Sequence, residues 1–115
     1  MRSRKLTGMV MIFVFVSTVF IPTPTLAASK ADIDRLTTYA VIIGRAIGCG
    51  VDTDDASRRV GAWMDEKFPP GSSDQQIFLP IFMTGVKYHA EQQANGKSPD
   101  TCSQVRSTFR KMQWP

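Results

Sequence analysis

The sequence is poor in the residues that carry most enzyme chemistry. It contains one histidine, His89, and only two glutamates, Glu66 and Glu91. A serine–histidine triad or a histidine-containing metal cluster would therefore have to include His89. The sequence also lacks a nucleophile elbow, a phosphate-binding glycine loop and a Cys-x-x-Cys motif. We therefore predict no catalytic residue, no cofactor and no metal site.

His89 is interpreted as an ordinary, partly exposed residue of a helix, with Glu91 placed nearby to raise its pKa. The alternative is a small cell-envelope enzyme, in which a cleft brings His89 or Glu66 against another titratable group. Paired carboxyl groups of the kind used in glycoside hydrolysis are a weak signal here, because most aspartates precede or begin predicted helices and capping explains them.

The N-terminal segment has the three parts of a secretory signal peptide. Arg2, Arg4 and Lys5 form a basic start, and an apolar run of 14 residues follows from Gly8 to Ile21. A proline-containing stretch then ends in the small residues Ala27 and Ala28. The apolar run is shorter than the roughly 20 residues of a membrane-spanning helix. We predict that residues 1–28 are a signal peptide cleaved after Ala27 or Ala28, with an uncleaved N-terminal anchor as the alternative.

The mature chain, residues 29–115, then lacks a charge excess. Three of the 14 basic residues and none of the 10 acidic residues lie in the signal segment, which leaves 11 basic and 10 acidic residues and a net charge of +1. Clustered positive charge is the usual mark of nucleic-acid binding. We therefore expect no nucleic-acid partner, and no stable membrane span after cleavage.

Cysteine is also scarce, and its two positions predict a disulfide. An exported chain with two cysteines, Cys49 and Cys102, is expected to join them. The bond would enclose 52 residues, a loop for which the chain-entropy model gives roughly 4 kcal/mol of stabilisation. The alternatives are two free buried thiols or a bridge between molecules.

Apolar residues recur at steps of three and four, which predicts helices, and no segment alternates as a strand does. We predict an all-α fold, a single small bundle of four helices at about 30–47, 53–68, 74–94 and 99–112. Gly48 and Gly50 are expected to end the first helix. Ser73 with Gln76 is expected to cap the third helix, and Ser98 followed by Pro99 to begin the fourth. Pro80 either kinks the third helix, which we favour, or lies in the first turn of a helix that begins there.

Aromatic residues and methionine in the second half of the chain are compatible with a binding surface. Phe78, Phe82 and Trp114 are the candidate partner contacts, with Met83 and Tyr88 near them in the sequence. Core packing is the alternative for Phe78, Phe82 and Met83, and docking on the core is the alternative for Trp114. The partner is expected to be another envelope or secreted protein, and the sequence does not determine the oligomeric state.

The order of helices and the placement of Cys49 and Cys102 resemble two groups of small periplasmic helical proteins. One group is the acid-stress chaperones, which have a single disulfide of similar span, and the other is the immunity proteins that neutralise type VI amidase toxins. The resemblance covers residues 33–112 and includes no shared motif, so no functional residue is carried over. It implies a non-catalytic protein that binds another protein.

Overall fold

A computed structural model of the protein describes residues 28–115. The predicted signal peptide, apart from Ala28, and the predicted cleavage after Ala27 lie outside the described residues. Four α-helices follow one another: α1 Lys30–Gly48, α2 Asp54–Lys67, α3 Ser73–Ala94 and α4 Cys102–Lys111. No strand occurs in this part of the chain, and the predicted all-α fold of four helices is confirmed.

Helix α1 contacts each of the other three helices. Ala40 lies opposite Gly85, and Gly48 lies opposite the segment 90–94, so α1 and α3 run parallel. Helix α2 connects α1 to α3 and runs in the opposite direction to both. The start of α4 is bonded to Cys49 at the end of α1, and the residues after α4 lie near Tyr39 in the middle of α1, so α4 runs antiparallel to α1. The result is that α3 packs mainly on one neighbour, α1.

The core lies between α1, α2 and the start of α3. Its buried cluster consists of Leu36, Tyr39, Ile43, Val60, Trp63, Met64, Phe68 and Phe78. The ring of Trp63 meets Tyr39 edge-on at 5.3 Å and Phe68 at 6.0 Å, an arrangement that suits the charge distribution of aromatic rings. Burial of this cluster is what fixes α2 against α1.

At the end of α1, only one of the two glycines has the capping role that the sequence predicted for both. Gly50 adopts a φ of 74°, and the Val51 N–H donates to the carbonyl of Ala46 while the Gly50 N–H donates to that of Ile47. This is the Schellman pattern, in which the left-handed position favours glycine. Gly48 is the last helical residue and has no left-handed φ, so its predicted part in the cap was wrong and its glycine needs another reason.

The predicted caps of α3 and α4 were also wrong by a few residues. Ser72, not Ser73, caps α3 by accepting from the N–H of Gln75. Thr101 caps α4 and forms a reciprocal capping box with Gln104. The segment from Ser98 to Asp100 stays non-helical because α1 and α3 hold it. Arg45 donates to a carboxylate oxygen of Asp100 at 2.8 Å, and Gln93 donates to its carbonyl at 3.0 Å.

Pro80 lies inside α3, which is one helix from Ser73 to Ala94. The alternative in which a helix begins at Pro80 was therefore wrong. Proline has no N–H for the helix ladder, and its position is exposed to solvent. The loss of one helical hydrogen bond therefore occurs on the solvent side of α3.

The predicted disulfide is confirmed. Cys49 is the residue that caps α1, Cys102 is the first residue of α4, and their Cα atoms lie 5.5 Å apart, within the usual range for a disulfide. The bond therefore fixes the start of the last helix to the end of the first.

Candidate partner-binding surface

Helix α3 exposes five large apolar side chains, which we call the α3 surface: Ile77, Leu79, Ile81, Met83 and Tyr88. Their exposed fractions range from 38% to 62%. Ile77 and Ile81 are one turn apart on one flank of the helix, and Tyr88 continues that flank. Leu79 and Met83 are one turn apart on the other flank, because two residues along a helix rotate about 200°. Apolar surface therefore lies on both sides of the contact between α3 and α1.

The α3 surface also lacks charge. Residues 75–86 include no aspartate, glutamate, lysine or arginine, although most of their side chains are partly or fully exposed. An exposed helix face normally carries charged residues opposite its buried stripe. This half of α3 does not follow that rule, because its exposed positions are apolar or uncharged.

The contact with α1 is narrow, which is why so much of α3 stays exposed. A β-carbon placed on Gly44 would lie 2.6 Å from the carbonyl oxygen of Val86, and one on Gly48 would lie 2.6 Å from that of Ala90. The two backbones can approach this closely because both α1 positions lack a side chain. The need for close backbone approach also explains why residue 48 is glycine.

A shallow groove lies along the Ile77 flank of α3. It has a volume of about 460 Å³ and is lined by Pro80, Ile81, Thr84, Gly85 and Tyr88. Gly85 contributes no side chain between Ile81 and Tyr88, which leaves space between the two larger groups. The groove is apolar apart from the Thr84 and Tyr88 hydroxyl groups.

Tyr88 also borders a second, basic pocket of about 120 Å³. Its lining includes the charged groups of Arg45 and Lys97 together with His89 and Ser98. Arg45 is held by its ion pair with Asp100 at 2.8 Å. The Arg45 Nε atom and the Ser98 Oγ atom are buried and have no hydrogen-bond partner within the chain. The lining has two basic residues and no acidic one, although Arg45 is already paired with Asp100, and this charge suits a small anion such as a carboxylate.

The pKa of His89 is lowered, first because burial disfavours its charged form and second because the positive charge of Arg45 is close. The expectation that Glu91 raises this pKa was therefore wrong. Glu91 is exposed on α3, whereas Arg45 reaches His89 from α1. The imidazole is consequently favoured in its neutral form.

The residues predicted to contact a partner lie closer to the core than the α3 surface does. Phe78 is buried with an exposed fraction of 8%, and Phe82 and Trp114 are half-buried against the same cluster. The Trp114 ring lies 5.6 Å from Tyr39 and 5.2 Å from Phe109. The exposed groups are instead the sequence neighbours of Phe78 and Phe82, together with Met83 and Tyr88.

The α3 surface had a signal in the sequence that aromatic content alone does not reveal. A run of twelve residues without charge, 75–86, contains more apolar residues than one helix face can bury. The positions Ala40, Gly44 and Gly48, each four apart, indicate the face of α1 on which a partner helix approaches. Together these patterns identify α3 as a helix with one narrow contact and an apolar remainder.

Catalytic and metal-binding groups are dispersed in the described part of the chain. Glu66 and Glu91 are exposed, and no group of three or more His, Cys, Asp or Glu residues between Ala28 and Pro115 is placed to hold a metal ion. His89 shares its pocket with basic and neutral side chains, including Arg45, Lys97, Gln92 and Ser98. None of the helices in residues 28–115 is long and apolar enough to cross a membrane.

The chain matches no protein-family model, and no curated protein and no solved structure is detectably similar to it.

Proposed function

We propose that the protein is exported, is stabilised by the Cys49–Cys102 disulfide, and acts without catalysis by binding another envelope or secreted protein through the α3 surface. The observation that carries the proposal is the exposure of five large apolar side chains on a helix whose residues 75–86 have no charge. Exposed apolar side chains in this number on one helix are typical of an interaction site in a small domain. Without a partner to cover it, exposed apolar surface of this kind favours aggregation.

The apolar contribution alone supports only weak binding. Each large apolar side chain contributes roughly 1.5–3 kcal/mol when it is fully buried. The members of the α3 surface are already about half buried, so covering all five would contribute roughly 4–7 kcal/mol. Association itself costs about 4–15 kcal/mol. A stable complex therefore needs polar contacts beside the α3 surface.

The basic pocket next to Tyr88 is placed to supply such contacts. Arg45 and Lys97 border it, and the Lys97 side chain is exposed to solvent. A partner whose apolar segment binds along the Ile77 flank would bind more tightly if it also placed a carboxylate at this pocket. We therefore propose an apolar segment followed by an acidic group as the part of the partner that is recognised.

Export is supported by two independent features. The N-terminal pattern of basic start, short apolar run and small-residue exit is that of a signal peptide. A disulfide closing a loop of this length, with both cysteines of the chain engaged, is typical of oxidising compartments such as the periplasm. The proposed partner is accordingly an envelope or secreted protein.

Two kinds of binding protein fit this proposal, an acid-stress chaperone and a toxin-immunity protein. A chaperone would lose side-chain packing at low pH while it kept its helices, and an immunity protein would keep both. Near- and far-UV circular dichroism between pH 7 and pH 2 separates them. Retention of both signals at pH 2 would exclude the chaperone form.

The binding proposal is tested by site-specific photo-crosslinking in living cells. A photoreactive amino acid replaces Ile81 or Met83 in the full chain, and Arg59 on the exposed face of α2 serves as the matched control position. We expect a discrete crosslinked product from position 81 or 83 and none from position 59. The product is then identified by mass spectrometry and its formation is competed with the unlabelled protein. Equal labelling at all three positions, or none at any, would contradict the proposal.

A further inference from the structure

The first described residue is held by a buried carboxylate of α3. The backbone N–H of Ala28 donates to Oδ2 of Asp74 at 3.1 Å, across 46 residues of sequence. Asp74 lies in the first turn of α3 and has an exposed fraction of 6%. A carboxylate with so little contact with water needs hydrogen bonds or an opposite charge to compensate for its lost solvation.

The position of the Ala28 nitrogen is fixed from two sides. Ala28 is half-buried and packs against the core cluster. The next residue, Ser29, caps α1 by accepting from the N–H of Asp32 at 3.1 Å. The chain therefore enters α1 along a defined path, and the Ala28 nitrogen is directed at Asp74.

Hydrolysis of the peptide bond between Ala27 and Ala28 would change the charge of this nitrogen. One water molecule is consumed, Ala27 keeps a carboxylate, and Ala28 gains an α-amino group. Such a group has a pKa of about 7.7–8.0 in the absence of neighbours, so at neutral pH it is mostly a cation. The existing bond already has a charged acceptor, and the new α-ammonium group adds a direct attraction between opposite charges.

The two candidate cleavage positions have opposite effects on Asp74. Cleavage after Ala27 places a cation 3.1 Å from its Oδ2 atom. Cleavage after Ala28 removes that nitrogen and leaves the carboxylate without this partner. The sequence also favours cleavage after Ala27. Thr25 and Ala27 then occupy the two positions where a signal peptidase requires small residues, whereas cleavage after Ala28 would place Leu26 at one of them.

We propose that the exported chain is cleaved between Ala27 and Ala28, and that the new α-ammonium group forms an ion pair with Asp74. This inference rests on the proposed export of the protein. The pair ties the mature N-terminus to the first turn of α3, the helix that carries the α3 surface. Processing therefore strengthens the existing bond between Ala28 and the first turn of α3.

Intact mass spectrometry of the full chain, expressed with its own signal in a bacterium with an export pathway, tests the cleavage position. The expected product begins at Ala28. A product that begins at Ser29 would overturn this inference and leave export unaffected. A full-length chain that stays uncleaved would overturn this inference, and export would then be decided separately, by whether protease added outside the cytoplasmic membrane digests the helical domain.

The ion pair has a separate test in the exported wild-type protein. Its neighbour Asp74 should raise the pKa of the Ala28 α-amino group by about one unit or more, measured from the pH dependence of its reaction with an amine-specific reagent. Because the folded-state pKa is raised, the stabilisation is present below about pH 7.7 and is lost as pH rises through the folded-state value. The melting temperature should fall over that range.

Asp74→Asn should abolish both effects, and Asp34→Asn is the matched control, because Asp34 pairs with Lys30 on the exposed face of α1. An α-amino pKa at its ordinary value in the wild-type protein would overturn the ion pair. An alkaline melting profile that is the same in wild-type and Asp74→Asn proteins would overturn it as well. The wild-type pKa measurement decides the question even if Asp74→Asn does not fold.

Discussion

Gly44 on α1 lies directly against His89 on α3. A β-carbon added to Gly44 would stand 2.8 Å from the β-carbon of His89, and one added to Gly48 would stand 2.7 Å from that of Gln93. These distances are shorter than two carbon atoms tolerate without displacement. The parallel pairing of α1 and α3 therefore depends on two glycines one turn apart.

Replacement of Gly44 with alanine is the first prediction. The added methyl group would force α3 away from α1, because the nearest atom is the backbone oxygen of Val86 at 2.6 Å. Overpacking of this kind typically destabilises by about 1–3 kcal/mol. We expect a loss of that size in the free energy of unfolding, measured by urea denaturation of the oxidised protein.

Gly61 supplies the matched control. It lies in the middle of α2, where an added β-carbon meets no atom within 4 Å. Gly61→Ala should therefore stabilise the protein by about 0.5–1 kcal/mol, since alanine loses less conformational freedom in a helix. If Gly44→Ala stabilised the protein as Gly61→Ala does, the close approach of α1 and α3 would be wrong.

The four helices were predictable because their apolar residues recur with a helical period and their ends carry strong signals. Pro69, Pro70 and Gly71 end α2 in the sequence, and Gly96 with a φ of 69° ends α3 in the structure. The sequence offers two local start signals for α4, Ser98 followed by Pro99 and the capping-box pair Thr101 and Gln104, and does not by itself decide between them. Ser98 and Pro99 form a good start motif, but the ion pair from Arg45 to Asp100 holds that segment in a bend. A tertiary contact therefore displaced the cap to Thr101.

The candidate site was less predictable because burial depends on which helices meet. Phe78 and Ile77 are adjacent and both apolar, yet Phe78 is 8% exposed and Ile77 is 45% exposed. The difference arises because Phe78 packs into the core cluster, with its ring 5.3 Å from that of Phe68, whereas Ile77 lies on a flank of α3 that none of the other helices in residues 28–115 covers. The sequence contains that information in Gly44 and Gly48, but Gly48, at the end of the helix, is equally well explained by capping.

Removal of the disulfide is the second prediction. In the chain-entropy model, a bond between residues 53 apart contributes roughly 4 kcal/mol. Cys49→Ser, Cys102→Ser and the double variant should each lose an amount of that order in the free energy of unfolding, because each opens the same loop. The loss is measured by urea denaturation, and chemical reduction of the wild-type protein should reproduce it.

The comparison between single and double variants checks the mechanism. Equal losses indicate that the covalent link is the common cause, since the three variants share only the open loop. A double variant with wild-type stability, or reactive thiols in the native wild-type protein, would contradict a stabilising role for the bond.

Substitution on the α3 surface is the third prediction. Ile81 is 57% exposed, so Ile81→Glu should change the free energy of unfolding by no more than about 0.5 kcal/mol. The same change should weaken partner binding about tenfold or more, because it places a charge in the apolar contact. Circular dichroism melting and binding of the crosslinked partner, once purified, measure the two effects.

Arg59→Glu is the matched control for Ile81→Glu. Arg59 is exposed on α2 and pairs with Asp55 at 3.0 Å, so the substitution introduces the same side chain away from α3. It should leave partner binding unchanged. Equal weakening by both variants would indicate a general charge effect and would contradict binding through the α3 surface.

The pH dependence of His89 is the fourth prediction. Burial and then the charge of Arg45 lower its pKa from 6.5, while Lys97 borders the same pocket and Asp100 lies behind Arg45. Because the folded-state pKa is lowered, the unfolded chain binds the proton more tightly. The stabilisation is complete above about pH 6.5 and is lost as pH falls through 6.5 towards the folded-state pKa.

His89 is the one histidine of the chain, so NMR titration of its imidazole protons should give a pKa below 6.5 without ambiguity of assignment. The melting temperature should fall as the protein is acidified through that range, and His89→Gln should remove this part of the fall, because glutamine does not titrate. An imidazole pKa above 6.5 would contradict the prediction. The proposed pair between Ala28 and Asp74 acts in the opposite direction, above about pH 7.7. The two titrations should therefore reduce stability on opposite sides of neutrality.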